Sequence, residues 1–259
     1  EAAIVSEWGE PDKSLLGGFH MDFLLHFGPS HYNDLFRCDE PYFSRRGKGS
    51  AKEFIAAYKE NYDKTDGKGL ICIPSGNHDM DRLARRLDYE EMKVAFAFLL
   101  SMPGAPFIYY GDEIGMDYIE ALPSKEGGYN RTGSRTPMQW NDGKNKGFSS
   151  SETPYLPTDS RPEAQTVEKQ LQDKNSLLHF VKNLVELHKT IPALHADGDI
   201  NIILRDYPFV YERTDGIKTI FIAINPSNNT YDYSAPAFSK VIISQNVTQN
   251  EGNITMNGV

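Results

Sequence analysis

The sequence predicts an α/β fold followed by a small all-β module, and three observations carry that prediction. Short apolar, β-branched runs ending on Gly or Pro alternate with segments of helical periodicity before residue 197. One of them, Ile71-Cys72-Ile73-Pro74-Ser75-Gly76-Asn77-His78-Asp79, passes directly from a buried-strand pattern into three polar residues. Beyond Ala193 the pattern changes to short strands divided by turn residues. The strand-then-helix unit recurs about four times, whereas a closed (β/α)8 barrel needs eight over roughly 250 residues. Two architectures remain on that count: an open α/β sheet, or the second half of a barrel.

Taken in order, Ala3-Ile4-Val5 reads as a strand closed by Ser6-Glu7-Trp8-Gly9-Glu10-Pro11. Leu15 to Leu25 carries the next apolar run, with His20 and Asp22 alternating against Met21 and Phe23. A polar, aromatic stretch from His26 to Ser50 follows. Phe54, Ile55, Tyr58 and Tyr62 repeat at helical spacing and predict a helix. Leu70 to Ile73 is the central strand. Tyr89 to Ser101 is a second helix, with Met92, Phe96, Leu99 and Leu100 on one face, stopped by Met102-Pro103-Gly104. Phe107-Ile108-Tyr109-Tyr110-Gly111 is another strand-like run, followed by Asp112 and Glu113. From 116 to 166 no periodicity is sustained, and a loop that long is uncommon unless functional. Leu177 to His188 traces a helix capped by Asn175 or Ser176. Phe209 to Arg213 and Ile217 to Ile224 flank a Thr214-Asp215-Gly216 turn as a hairpin, and Val241 to Ile243 adds a strand. The boundary falls near Asp197-Gly198, giving 1–197 as the α/β part and 198–259 as the all-β part.

The 259 residues are 39% hydrophobic and 12% aromatic, enough to bury a core. A net charge of -9 argues against a nucleic-acid partner, which would call for a basic stripe. No apolar run approaches the roughly 18 residues of a membrane span. The two cysteines, Cys38 and Cys72, are expected to stay free thiols.

Glu7, Asp79, and Asp112 with Glu113 each follow a strand-like run. Carboxylates at successive strand ends can supply an acid and a base or stabiliser for glycosidic-bond cleavage. From spacing alone, solvated loop positions are the better fit. His20, Asp22 and His26 lack a recognised zinc spacing. Trp8, Tyr109, Tyr110 and Trp140 are candidates to stack on sugar rings.

Five segments occur in a fixed order: Ile4-Val5-Ser6-Glu7-Trp8-Gly9-Glu10-Pro11, Gly18-Phe19-His20-Met21-Asp22-Phe23, Gly76-Asn77-His78-Asp79, Ile108-Tyr109-Tyr110-Gly111-Asp112-Glu113-Ile114-Gly115-Met116 and Arg135-Thr136-Pro137-Met138-Gln139-Trp140. In that order the chain resembles the C-terminal half of an α-amylase superfamily (glycoside hydrolase family 13) enzyme, of the branch with α-glucosidases, oligo-1,6-glucosidases and trehalose synthases. The resemblance implies strands 5–8 of a TIM (β/α)8 barrel, an insertion after the last strand over about 116–166, and a small antiparallel β-sandwich C-terminal domain. It implies that Glu7 is the general acid/base and Asp79 the transition-state-stabilising carboxylate, with Asn77, His78, Arg82 and Arg135 on substrate. Gly18-Phe19-His20-Met21-Asp22 superficially resembles the family's nucleophile block. It has His20 where an Arg belongs, and Asp22 follows Glu7 instead of preceding it. Asp22 is therefore read as structural, with the nucleophile upstream of residue 1.

The resemblance implies a retaining hydrolase of α-glucosidic bonds in short α-glucans or α-glucosides, with no cofactor and no metal in this chain; calcium sites of the family lie largely in the upstream half. The 259 residues alone are then expected to be inactive. Their open half-barrel edges are expected to favour self-association. Two alternatives stand: a trehalose-synthase-type isomerase or transglycosylase, and a non-catalytic amylase-like interaction domain.

Overall fold

The computed structural model describes residues 2–25, 28–125, 127–238, 240–250 and 252–259; His26 lies outside them. Three strands, β1 (Val5–Ser6), β2 (Met21–Phe23) and β3 (Leu70–Cys72), form one parallel sheet in that order. Val5 stands opposite Met21, and Asp22 opposite Ile71. The Phe107 to Gly111 run contributes a single parallel bridge, Pro74 to Phe107, in place of a full strand.

Two short helices interrupt stretches where the sequence shows no helical period. α1 (Pro11–Leu16) starts on a Pro at its first turn, where a missing N–H costs nothing. It takes Leu15 and Leu16 out of the predicted strand run. α2 (Tyr32–Phe36) buries Tyr32, Leu35 and Phe36. α3 (Lys52–Thr65) and α4 (Tyr89–Ser101) match their predicted periodicity, and α4 begins with a capping box between Asp88 and Glu91. Gly104, just after α4, has φ +101°, and a Cβ there would sit 1.7 Å from the Ile71 carbonyl oxygen. Only glycine lets the chain pass that close to β3.

Between Met116 and Thr166 the described backbone makes two short 3-10 turns, Thr132–Ser134 and Lys144–Gly147. It ends at α5 (Val167–Gln172), capped by Thr166, and α6 (Leu177–Thr190), capped by Ser176.

β4 (Asp199–Arg205), β5 (Phe209–Thr214) and β6 (Thr219–Ile224) form an antiparallel sheet. β7 (Tyr231–Ser234), β8 (Val247–Asn250) and β9 (Asn253–Met256) form another, in the order β7-β9-β8. The hairpin turn is longer than predicted: Ile217 sits in it, 89% exposed, and β6 starts at Thr219. Val241 to Ile243 is not a strand. All three residues are exposed and find no ladder partner, so apolar composition alone does not order them.

One core joins helices and β5. Phe36 stacks on Phe43, Phe43 meets Phe98, and Phe98 meets Phe209 of β5, with centroids at 5.2, 5.3 and 5.9 Å. Arg213 of β5 is fully buried and donates to the carbonyls of Ser101, His195 and Gly198, tying the end of α4 to the start of β4.

Candidate active site

Parallel strands deliver their C-terminal ends to one side, and the predicted acids lie there. Glu7 follows β1, and Asn77, His78 and Asp79 follow β3. The sheet carries Glu7 to Asn77, whose Nδ2 donates to Glu7 Oε1 at 3.3 Å. The Asn77 Oδ1 accepts the Asp79 N–H at 2.8 Å, which fixes the amide's orientation. One side chain thus bridges the two carboxylate-bearing loops. Glu7 is exposed, its Oε1 turned to the Asn77 amide.

Asp79 is held from the other side. Its Oδ1 accepts from Arg135 Nη2 at 2.7 Å, and Arg131 Nη1 and His78 Nε2 lie at 2.7 and 3.4 Å. Arg135 Nε also donates to the His78 carbonyl at 2.8 Å, and Tyr129 Oη to the Asp79 carbonyl at 2.8 Å. Both arginines come from the long loop, so that loop closes onto the β3 end. Convergent guanidinium contacts of this kind set a carboxylate's direction as well as its charge. Arg131 is a residue that sequence reasoning misses. It lies in a Gly/Ser/Thr-rich stretch without periodicity, and its position four residues before Arg135 carries no signal of its own.

Arg82 does not reach the cleft edge, contrary to its expected substrate contact. Its side chain is 0% exposed, and so is that of Asp112, to which it donates at 3.2 Å. Arg82 also donates to the Tyr110 carbonyl at 2.6 Å and lies over the rings of Tyr109 and Tyr110. The physical reason is enclosure: Tyr109, Tyr110 and Asp112 all follow Phe107, and that strand end packs across the residue. Asp22, likewise buried, accepts from Ser14 Oγ at 2.5 Å and from its neighbour's N–H at 2.8 Å, inside the α1–β2 junction. Among the described residues no cluster of three or more His, Cys, Asp or Glu could hold a metal ion.

Beside Arg135 opens a hollow of about 480 Å³ with Tyr110, Trp140, Phe148, Tyr155 and Glu113 on its walls. Two of the four predicted stacking aromatics, Tyr110 and Trp140, are there. Tyr109 does not line it; its hydroxyl donates to the Ser134 carbonyl, and burial pushes its phenol up. Trp8 is 67% exposed, with its indole N–H on Glu10.

Burial also raises the Glu113 carboxyl above its ordinary value of 4.5, against the pull of the Gly111 N–H that it accepts at 2.7 Å. A folded value above the unfolded one means the folded chain holds this proton more tightly. Stability is full below the unfolded value, falls as pH rises from there through the folded one, and stays lower above it. Glu113→Gln keeps an oxygen for Gly111 and removes that slope. Urea midpoints at pH 4 and pH 7 are expected to fall between the two pH values more for the wild type than for Glu113→Gln.

Comparison with known proteins gives a consistent set. The family "Alpha amylase, catalytic domain" matches residues 36–197, more than half of the chain. Oligo-1,6-glucosidase of Parageobacillus thermoglucosidasius is 32% identical over 207 residues, covering 66% of this chain and 36% of the relative. The human amino acid transporter heavy chain SLC3A1 is 34% identical over 177 residues, covering 68% of this chain and 25% of the relative. The chain therefore spans between a quarter and just over a third of the length of these two relatives. In structure it is similar to the alpha-amylase from H. orenii, with TM-score 0.74 and 21% identity, covering 99% of this chain and 51% of that one.

Proposed function

The chain belongs to the alpha-amylase catalytic-domain family, and from that premise we propose that it carries the acid/base and stabilising carboxylates of a retaining α-glucosidase. The observation behind this reading is the Asn77 amide that joins Glu7 to the Asp79 loop at one end of a parallel sheet. In this reading the protonated Glu7 gives its proton to the leaving glycosidic oxygen while a carboxylate from outside these residues attacks the anomeric carbon. Glu7 then takes a proton from the water that cleaves the glycosyl intermediate. Asp79, aimed by Arg131 and Arg135, stabilises the positive charge that develops on the sugar ring. His78 and Asn77 bind sugar hydroxyls, and the hollow beside Arg135 takes the acceptor side of a short α-glucan or α-glucoside. No step calls for a cofactor, and calcium sites of the family lie largely in the part of the barrel that strands 1–4 supply.

The same reading makes the α/β part the second half of a TIM barrel, with the insertion over about 116–166. Residues 198–259 then form a small β-sandwich packed on that part through Phe209, supported by Phe221 of β6 stacking on Tyr233 of β7 at 5.7 Å. The open edge at β1, where Ile4 and Val5 are exposed, favours self-association of the 259 residues on their own.

The test is expression of the longer protein and of the 259 residues, each offered isomaltose and maltose. Glucose release by the longer protein and none by the 259 residues is the expected result; turnover by the latter would sink the placing of the nucleophile elsewhere. Conversion of maltose to trehalose or to longer sugars would turn the reading to an isomerase or transglycosylase. A second reading of another class, a non-catalytic interaction domain, is favoured by the likeness to SLC3A1. Glu7 and Asp79, both in place, weigh against it, and a longer protein that binds but never cleaves α-glucosides would favour it.

A further inference from the structure

We propose that Arg37 is the positioning residue for Asp79, a guanidinium that ties together both ends of the loop from Ser75 to Asp81. Between the Pro74 bridge and the 3-10 turn Leu83–Arg85 the backbone has no ladder of its own, so other groups must satisfy its carbonyls and set its shape. Arg37 follows α2 and is 9% exposed. Its Nη2 donates to the Ser75 carbonyl at 2.5 Å and its Nε to the Asp81 carbonyl at 2.6 Å. Its Nη1 donates to Tyr32 Oη at 3.1 Å, and that hydroxyl donates to the Pro74 carbonyl at 2.5 Å. A planar fork that binds two carbonyls at once fixes the chord of the loop, and with it the direction in which Asn77, His78 and Asp79 leave the sheet. A lysine ammonium in the same space is a point donor and does not span both.

A second observation comes from the loop side. A Cβ on Gly76 would stand 2.8 Å from Arg37 Nη2 and 3.1 Å from Asp112 Oδ2. The loop is glycine where the guanidinium passes beneath it. The chain just after α2 therefore reaches the candidate site through one buried side chain.

The effect on catalysis rests on the role proposed for Asp79, but the loop's dependence on Arg37 does not. The experiment accordingly reads the loop in the 259-residue chain, by amide hydrogen exchange and NMR. In Arg37→Ala the Asp79 amide is expected to exchange at least about tenfold faster and the Asn77 side-chain amide signal to move, while Ile71 and Cys72 amides keep their protection. Millimolar guanidinium should restore the wild-type signals; Arg37→Lys should not regain them. Gly76→Ala, which keeps Arg37 in the sequence but crowds its Nη2, should reproduce the Asp79 change, and it carries the test if Arg37→Ala does not fold. Unchanged Asp79 exchange in Gly76→Ala or Arg37→Ala would overturn the proposal. So would wild-type signals in Arg37→Lys, or loss of protection spread evenly through β3 and α3 without guanidinium rescue.

Discussion

Asp79→Asn in the longer protein is expected to lower kcat on α-glucosides about 10²–10³-fold with KM little changed, the range seen when one preorganised electrostatic stabiliser is removed. The change is nearly isosteric, and Arg131, Arg135 and His78 would still surround the amide. What is lost is negative charge facing the sugar ring as it becomes cationic. Glu7→Gln is expected to cost about 10²–10⁴-fold by removing the proton donor. The two variants separate on an aryl glucoside whose leaving group needs little protonation. Such a substrate should recover much of the cleavage step in Glu7→Gln and none of it in Asp79→Asn. Equal losses on both substrates for Glu7→Gln would mean that Glu7 is not the proton donor, and recovery on the aryl glucoside for Asp79→Asn would mean that Asp79 is not the stabiliser.

Arg82 and Asp112 give the largest stability effect. Both side chains are fully enclosed, and removing one partner leaves a buried charge without compensation, at a cost of about 3–5 kcal/mol. Asp112 also anchors the β3 end, since its Oδ2 accepts from Ser75 Oγ at 2.7 Å, and that hydroxyl accepts the Tyr109 N–H at 2.9 Å. The pair therefore holds the β3 end to the segment after Phe107 from within. Arg82→Met and Asp112→Ala should each shift urea unfolding by that amount. The double variant should lose clearly less than the sum of the two, because the second substitution removes the charge stranded by the first. Strict additivity would mean the pair is not coupled in the folded chain. Loss of stability, rather than a change in KM, is what distinguishes an enclosed Arg82 from one that touches substrate.

Several elements are legible in the residues themselves. α4 spans Tyr89–Ser101 and α6 begins after Ser176, because apolar spacing and caps are local properties that a window of residues contains in full. β3 and the hairpin of β5 and β6 are legible for the same reason. α1 and α2 are not: six and five residues are too few to show a period. Val241 to Ile243 fails in the other direction, since a strand exists only where a neighbour accepts its hydrogen bonds.

By itself the sequence determined where the longer helices and the central strand run, and which acids stand at strand ends. Only the tertiary structure decided what those acids meet. Asn77 reaches Glu7 across 70 residues of chain, and Arg135 reaches Asp79 across 56. Arg82, by contrast, turns inward to Asp112. The physical reason is that periodicity and capping are fixed by covalent neighbours, whereas the partner of a polar side chain is fixed by which strand ends pack side by side and which groups that packing closes off from water.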